Sequence, residues 1–159
     1  MTTVAIVCHS GSGHTTKLAE RVTKGANAMP DVKVTVLTLN GKDIVEGRFK
    51  NPAFMERLEG SDAIIFGSPT YMGGPSGDKL STMHYFFTLA MQHGMIRAGT
   101  DETPKNNQGI NRLSSYSGVM AQAMMESPEE KPDAADKLTG ELFGKRVAEA
   151  AKRWKADKA

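Results

Sequence analysis

Apolar residues run without interruption through Val4-Ala5-Ile6-Val7-Cys8 and again through Ala63-Ile64-Ile65-Phe66. Runs of this length with no polar alternation predict strands covered on both faces of a parallel sheet. Between them the period changes. Leu18, Ala19, Val22 and Ala26 fall on one face of a helical pattern with Lys17, Glu20, Arg21 and Lys24 elsewhere, and the pattern ends in the Gly25 to Pro30 region. Val32, Val34 and Val36 then alternate with Lys33 and Thr35, which predicts a half-exposed strand at or near a sheet edge. Residues 40–51 are polar and glycine-containing and read as a loop. Residues 52–58 can form a short helix with Phe54, Met55 and Leu58 inward. The order so far is βαβαβ, with loops of ligand-binding type after the first and last of these strands.

Residues 69–77 form a Gly-, Ser- and Pro-rich loop, and residues 78–93 read as a helix. Leu80, Met83, Phe86, Phe87, Ala90 and Met91 recur along it at helical spacing, so their default meaning is core packing. Gly94-Met95-Ile96 resembles the start of a further strand, interrupted by Arg97. Residues 100–109 are a polar loop, and residues 110–125 mix Ser, Gly and Met without a clear period. A final helix starts at Pro132 or Asp133 and carries Leu138, Leu142, Phe143, Val147, Ala150, Ala151 and Trp154 along one stripe. Acidic residues early in that helix and basic residues late in it complement its dipole. There is no internal repeat.

Composition narrows the class. The 159 residues suit a single domain, 1–159, with one core. Lys and Arg number 20 against 18 Asp and Glu, which gives no strong electrostatic case for nucleic acid. With one cysteine, Cys8, no disulfide can form within the chain, and that residue reads as a small buried hydrophobe in a reducing compartment. No basic-then-apolar leader opens the chain and no apolar stretch approaches membrane-spanning length, so a cytoplasmic protein without membrane partners is expected.

Candidate chemistry concentrates in Ser10-Gly11-Ser12-Gly13-His14-Thr15-Thr16, between the first strand and the first helix. Backbone N–H groups of such a loop and of the first helical turn converge on one spot, where hydroxyls can add donors. A Walker A loop needs a Lys where this loop carries His14, and the glycine spacing does not match G-x-G-x-x-G. A monophosphate cradle remains, with an ordinary βα turn of small residues as the alternative that this segment alone leaves open. A second strand-end loop, Pro69-Thr70-Tyr71-Met72-Gly73-Gly74, would open into the same crevice.

Four stretches in order, AIVCHSGSGHTTKLAERVTKGA, SDAIIFGSPTYMGGPSG, GDKLSTMHYFFTLAMQHGMI and INRLSSYSGVMAQ, resemble the flavodoxin-like WrbA group of NAD(P)H:quinone oxidoreductases over nearly the whole chain. The resemblance implies an α/β flavodoxin-like fold, a doubly wound parallel sheet with helices on both faces. It implies FMN as cofactor, NAD(P)H as co-substrate, a quinone acceptor and assembly into dimers or tetramers, with no metal. By the same resemblance Ser10, Gly11, Ser12, Gly13, His14 and Thr15 would hold the flavin phosphate. Thr70, Tyr71, Met72 and Gly73, with Pro75 and Ser76, would line the ribityl chain and ring edge. His93 would approach the pyrimidine side of the flavin, where a donor stabilises negative charge developing on reduction. The competing role for His93 is a helix C-cap before Gly94. Tyr116 and Gly118 match a short segment near the ligand entrance.

The chain also departs from that pattern. Tyr71 and Asp78 are separated by six residues where the family has a helix, a parallel strand and most of a third loop, so a sheet one strand short of the usual five is expected. Ser12 stands where the family has an aromatic residue, and Arg97 where it has an apolar one. The leading expectation is an FMN-dependent NAD(P)H:quinone oxidoreductase. Its alternatives are a flavodoxin-type electron carrier, which the net charge of +2 disfavours, and a flavin-free remnant of the family.

Overall fold

In a computed structural model, residues 1–71, 77–104 and 107–157 are described. The two apolar runs are parallel neighbours: β1 (Thr2–Cys8) lies between β2 (Val32–Thr38) and β5 (Ala63–Gly67), giving the order β2-β1-β5. Register pairs Val4 with Val34 and Ala63, and Cys8 with Thr38 and Gly67. The ladder continues past the strand ends through His9 N–H to the Gly67 carbonyl (3.2 Å) and Leu39 N–H to the Cys8 carbonyl (2.9 Å). The loops after β1 and β5 therefore leave the sheet side by side.

Alternation along β1 divides the core. Val4, Ile6 and Cys8 face α1 (His14–Asn27) and α4 (Ala134–Ala156), packing with Ala19, Val22, Ala26, Val147 and Ala148. Ala5 and Val7 face the other way, onto Leu37 and Phe54 of α2 (Pro52–Glu59), where Phe49 meets Phe54 edge-on at 4.9 Å. Helices on both faces and a central strand buried at every position but Thr3 are the doubly wound arrangement the sequence predicts. Its expected amphipathic face on α1 is the buried one. In α2 the structure separates the three inward candidates: Phe54 is buried, Leu58 is half-buried and Met55 is exposed.

Two segments differ from expectation. Residues 40–51 are not a plain loop: they hold a 3-10 turn, Gly41–Asp43, and a two-residue antiparallel ribbon of β3 (Ile44–Val45) with β4 (Arg48–Phe49). The expected strand at Gly94-Met95-Ile96 does not form, so among the described residues the main sheet has three strands rather than four. A strand needs a neighbour to satisfy its N–H and C=O groups, and the strand that would lie between β5 and this segment has no counterpart in the sequence. Residues 95–98 instead run as irregular chain along the far wall of the space beside β5.

Helix α3 (Gly77–Gln92) lies across that space. Met83, Phe86, Phe87 and Ala90 turn toward it, as the helical spacing predicts, and Phe86 stacks on Phe66 with centroids 5.8 Å apart. Leu80 and Met91, from the same predicted stripe, are more than 40 % exposed. The helix is thus only partly packed.

The final helix begins where expected. Asp133 caps it by accepting the Asp136 N–H (2.9 Å), and α4 crosses α1 closely enough that a methyl group on Gly25 or Gly144 would meet the backbone of the other helix. No helix among the described residues is long and apolar enough to cross a membrane.

Candidate functional site

The loop after β1 closes on itself through one hydroxyl. Ser10 Oγ accepts from Gly13 N–H (3.1 Å) and Thr16 N–H (3.3 Å), and Gly13 sits in the left-handed region at φ 92° immediately before α1. Among the described residues, the N–H groups of Ser12, His14 and Thr15 have no hydrogen-bond acceptor. They surround the positive end of a 14-residue helix, an arrangement that suits an oxyanion.

The loop after β5 packs against this cradle. A methyl group on Gly11 would meet the Tyr71 hydroxyl, so the two loops touch there. Ser10, Gly11, Ser12, His14, Thr15, Thr70 and Tyr71 consequently share one wall of a trough of about 1660 Å³. Tyr71 itself is 62 % exposed. This trough occupies the switch point of the sheet: from β1 the chain turns through α1 to β2 on one side, and from β2 it returns through α2 to β5 on the other. Open parallel sheets bind ligands at that position.

The opposite wall comes from α3 and residues 95–99 and 117–125. Arg97, which interrupts the expected strand, has a structural task here. Its guanidinium lies 5.0 Å from the Phe87 ring centroid, and Nη2 donates to the Ser117 carbonyl, joining α3 to the irregular wall. That wall is anchored to α4 by a polar cluster absent from the sequence-based candidates. Asp136, 2 % exposed, accepts from Arg112 Nε (2.8 Å), Arg112 Nη2 (2.7 Å) and Gln122 N–H (3.2 Å). Burial opposes the charge on Arg112, but the hydrogen bond to Asp136 outweighs it and raises the guanidinium pKa further. Asn111 N–H donates to Thr139 Oγ1 (2.9 Å), and Asn111 Oδ1 accepts Ser115 N–H (2.9 Å). Only the first-turn spacing of Asp133 and Asp136 could have hinted at this; its partner lies in an aperiodic stretch.

A second missed feature crosses the cradle. Residues 124–131 fold back as a strap: His14 Nε2 lies 2.9 Å from the Glu126 carbonyl, and Lys17 Nζ lies 2.8 Å from Glu129. A methyl group on Gly13 would sit 2.8 Å from Pro128 Cγ. The hydrogen bond from Lys17 and its charge hold the Glu129 carboxyl below its ordinary range and raise the Lys17 ammonium. The Met124 N–H similarly lowers the Glu126 carboxyl.

Other candidates fall elsewhere. His93 is exposed at the C-terminal end of α3, its N–H directed to the Leu89 and Ala90 carbonyls, and the trough wall passes through Gly94 instead. Met72, Gly73, Pro75 and Ser76 lie outside the described residues. Gly118 lines the trough against Met83, whereas Tyr116 does not. Cys8 is buried, and burial pushes its thiol pKa up, which suits the inert packing role. No group of three or more potential metal ligands occurs among the described residues.

A model of the family described as NADPH-dependent FMN reductase matches residues 1–96, the part of the chain that carries β1, the cradle, β5 and α3. The chain belongs to this family. Its fold is flavodoxin-like, its cofactor is FMN, and its electron donor is NAD(P)H. The chain is also 25 % identical to flavodoxin FldP of Pseudomonas aeruginosa, over 93 % of this chain and 96 % of that protein. It is 26 % identical to an NAD(P)H dehydrogenase (quinone) of Archaeoglobus fulgidus, over 96 % and 99 %, and 24 % identical to one of Syntrophus aciditrophicus, over 91 % and 95 %. These alignments extend over 187, 204 and 194 residues, more than the 159 of this chain, so the relatives carry positions that it lacks.

The residues present fit the flavin's phosphoryl group. The cradle offers three amides without an acceptor among the described residues at a helix N-terminus, and the adjoining trough is open and largely apolar, as a ring system requires.

Proposed function

We propose that this protein oxidises NAD(P)H and passes the electrons to a quinone. The observation that carries the reading is that Ser12, His14 and Thr15, whose N–H groups have no acceptor among the described residues, line the trough at the N-terminus of α1. In this reading Ser10 shapes the loop, those three amides hold the phosphoryl oxygens, and Gly11 and Gly13 leave room for Tyr71 and Pro128 beside them. Thr70 and Tyr71 run along the ribityl chain and ring edge.

When bound, FMN supplies hydride acceptance from NAD(P)H and two-electron delivery to the quinone. The chain's part is to hold and orient: the apolar wall of Phe66, Phe86 and Phe87 excludes water from the ring side, and no side chain need act as a general base. Donor and acceptor then use one site in turn, which gives ping-pong kinetics. His93 is left out of this assignment: it is exposed at the end of α3 and is not among the residues that line the trough. The protein acts in the cytoplasm as a dimer or tetramer.

The test combines two measurements on purified protein. After FMN is added and the excess removed, flavin absorbance is expected to remain with the protein. NADH or NADPH oxidation is then expected to depend on benzoquinone, with parallel double-reciprocal lines. Retained flavin without quinone-dependent turnover, together with a long-lived one-electron-reduced state, would favour the carrier role that the similarity to a flavodoxin suggests. Absence of retained flavin would overturn the cofactor site itself.

A further inference from the structure

His14 joins two parts of the chain that a phosphate site does not itself require to be joined. Its Nε2 lies 2.9 Å from the Glu126 carbonyl oxygen and its Nδ1 lies 3.2 Å from Ser12 Oγ. A carbonyl oxygen only accepts, so Nε2 carries a hydrogen in either charge state of the ring. In the neutral ring Nδ1 is therefore a bare acceptor, and the Ser12 hydroxyl must donate to it. Ser12 has a single hydroxyl hydrogen. While it points at His14, an incoming phosphoryl oxygen meets only lone pairs on Ser12.

Protonation reverses that bond. Nδ1 becomes a donor, Ser12 Oγ becomes its acceptor, and the hydroxyl hydrogen is released toward the cradle, whose amides include that of Ser12 itself. The same proton places a positive charge beside the position a dianion would occupy.

We propose that His14 is a positioning residue for phosphate recognition: it sets the direction of the Ser12 hydroxyl, and capture of the phosphorylated flavin takes up a proton on its ring. This rests on the reading of residues 10–15 as the phosphate site. Discrimination between FMN and riboflavin then increases as pH falls through the range, about 5 to 8, in which imidazoles exchange protons.

Charged groups of both signs surround the ring. From α1, the helix N-terminus and Lys17 oppose a charge on the ring, although Lys17 is paired with Glu129. From the strap, the Glu126 carboxylate favours it and interacts electrostatically with His14, while Lys131 acts on that same carboxylate. From the loop after β5 the neighbour of the cradle is the Tyr71 hydroxyl, over Gly11. A phosphoryl dianion bound in the cradle would add negative charge beside the ring, which favours the protonated form.

The test measures FMN and riboflavin dissociation constants by flavin fluorescence across this pH range, for the wild type, His14→Gln and Ser12→Ala. His14→Gln keeps an amide donor for the Glu126 carbonyl but cannot be protonated. The phosphate ester titrates near pH 6 in every case, so only the difference between proteins is read. A single linked proton changes affinity by at most about tenfold per pH unit. The wild type is expected to gain roughly three- to tenfold in FMN affinity over His14→Gln between about pH 8 and about pH 6. Ser12→Ala is expected to show a smaller gain in the same direction, and riboflavin no difference. Calorimetry in two buffers of different ionisation heat should find extra proton uptake that is largest in the wild type, smaller in Ser12→Ala and absent in His14→Gln. Parallel pH profiles for wild type and His14→Gln would overturn the role of His14 while leaving the phosphate site standing. Equal wild-type affinity for FMN and riboflavin at every pH would overturn the phosphate site.

Discussion

At the scale of single residues, Asp62 shows how a polar group in this chain is tied to the fold. It stands at the entrance to β5 and accepts from the Thr3 N–H (2.8 Å), the Thr3 hydroxyl (2.8 Å) and Lys155 Nζ (2.9 Å), so one carboxylate connects β1, β5 and the end of α4. Burial alone would raise its pKa, but the Thr3 donors and the Lys155 ammonium outweigh burial and hold it below the ordinary carboxylate range. A depressed carboxyl contributes stability that is complete above its unfolded value, about 3.9, and is lost as pH falls through its lower folded value. Melting temperature should accordingly fall on acidification from about pH 5 toward about pH 3, and Asp62→Asn should flatten that limb. Its cost at neutral pH should be on the order of 1 kcal/mol, since solvent screens the pair. Retention of the full acid limb by the variant would show that other carboxylates carry it. Little of this was legible beforehand. Asp62 reads as ordinary strand punctuation, and its partners are 59 and 93 residues away. The cradle residues, by contrast, were legible because a strand, a small-residue loop and a helix start follow one another within a dozen positions. Local order of that kind is what a sequence displays directly.

Among the elements, the crossing of α1 and α4 is the most tightly specified contact. Gly25 lies against the Glu141 carbonyl, Gly144 against the Val22 carbonyl, and a methyl group on Gly140 would come within 2.9 Å of Leu18 Cδ1. Gly140 and Gly144 are four residues apart on one face of α4, a spacing that announces close helix approach, although the apolar stripe drew attention to bulkier residues. Because the obstacle at Gly144 is backbone, no side-chain rotation relieves it. Gly144→Ala should destabilise the protein by roughly 1–3 kcal/mol, lowering the melting temperature by several degrees at about 2–4 °C per kcal/mol. Gly41→Ala, where a methyl group meets nothing within 4 Å, should stay within about 0.5 kcal/mol of the wild type. Equal effects would mean that the helices can separate without loss. Where elements diverged from the sequence pattern, a missing neighbour explains the divergence. Met95 and Ile96 have strand composition but no strand beside them, and the outer residues of the α3 stripe have nothing to cover them. The ribbon of β3 and β4 escaped prediction because two residues per strand, with Ile44 and Val45 exposed, leave no period to detect.

For the molecule as a whole, the decisive fact is that among the described residues a doubly wound sheet ends at β5. The trough beside that strand, about 1660 Å³, is larger than the roughly 300–1,000 Å³ typical of a small-molecule site. Its walls include Phe66, Phe87 and Ile96, each with at least 38 % of its surface exposed. Apolar surface left in water contributes nothing to folding, so the unliganded chain gives up burial that a complete sheet would have. A ligand that binds only the folded state adds RT ln(1 + [L]/Kd), about 2.7 kcal/mol at one hundred times Kd. For a chain of this length that corresponds to a rise of roughly 5–10 °C in melting temperature. FMN should produce such a shift, and riboflavin a smaller one, because riboflavin can cover the apolar wall but leaves the amides of Ser12, His14 and Thr15 without a phosphoryl oxygen. A thermal melt with each flavin separates the two contributions. A shift of equal size for both would place the stabilisation on the trough alone, and no shift with FMN would mean that the cradle holds no flavin without the strand it lacks.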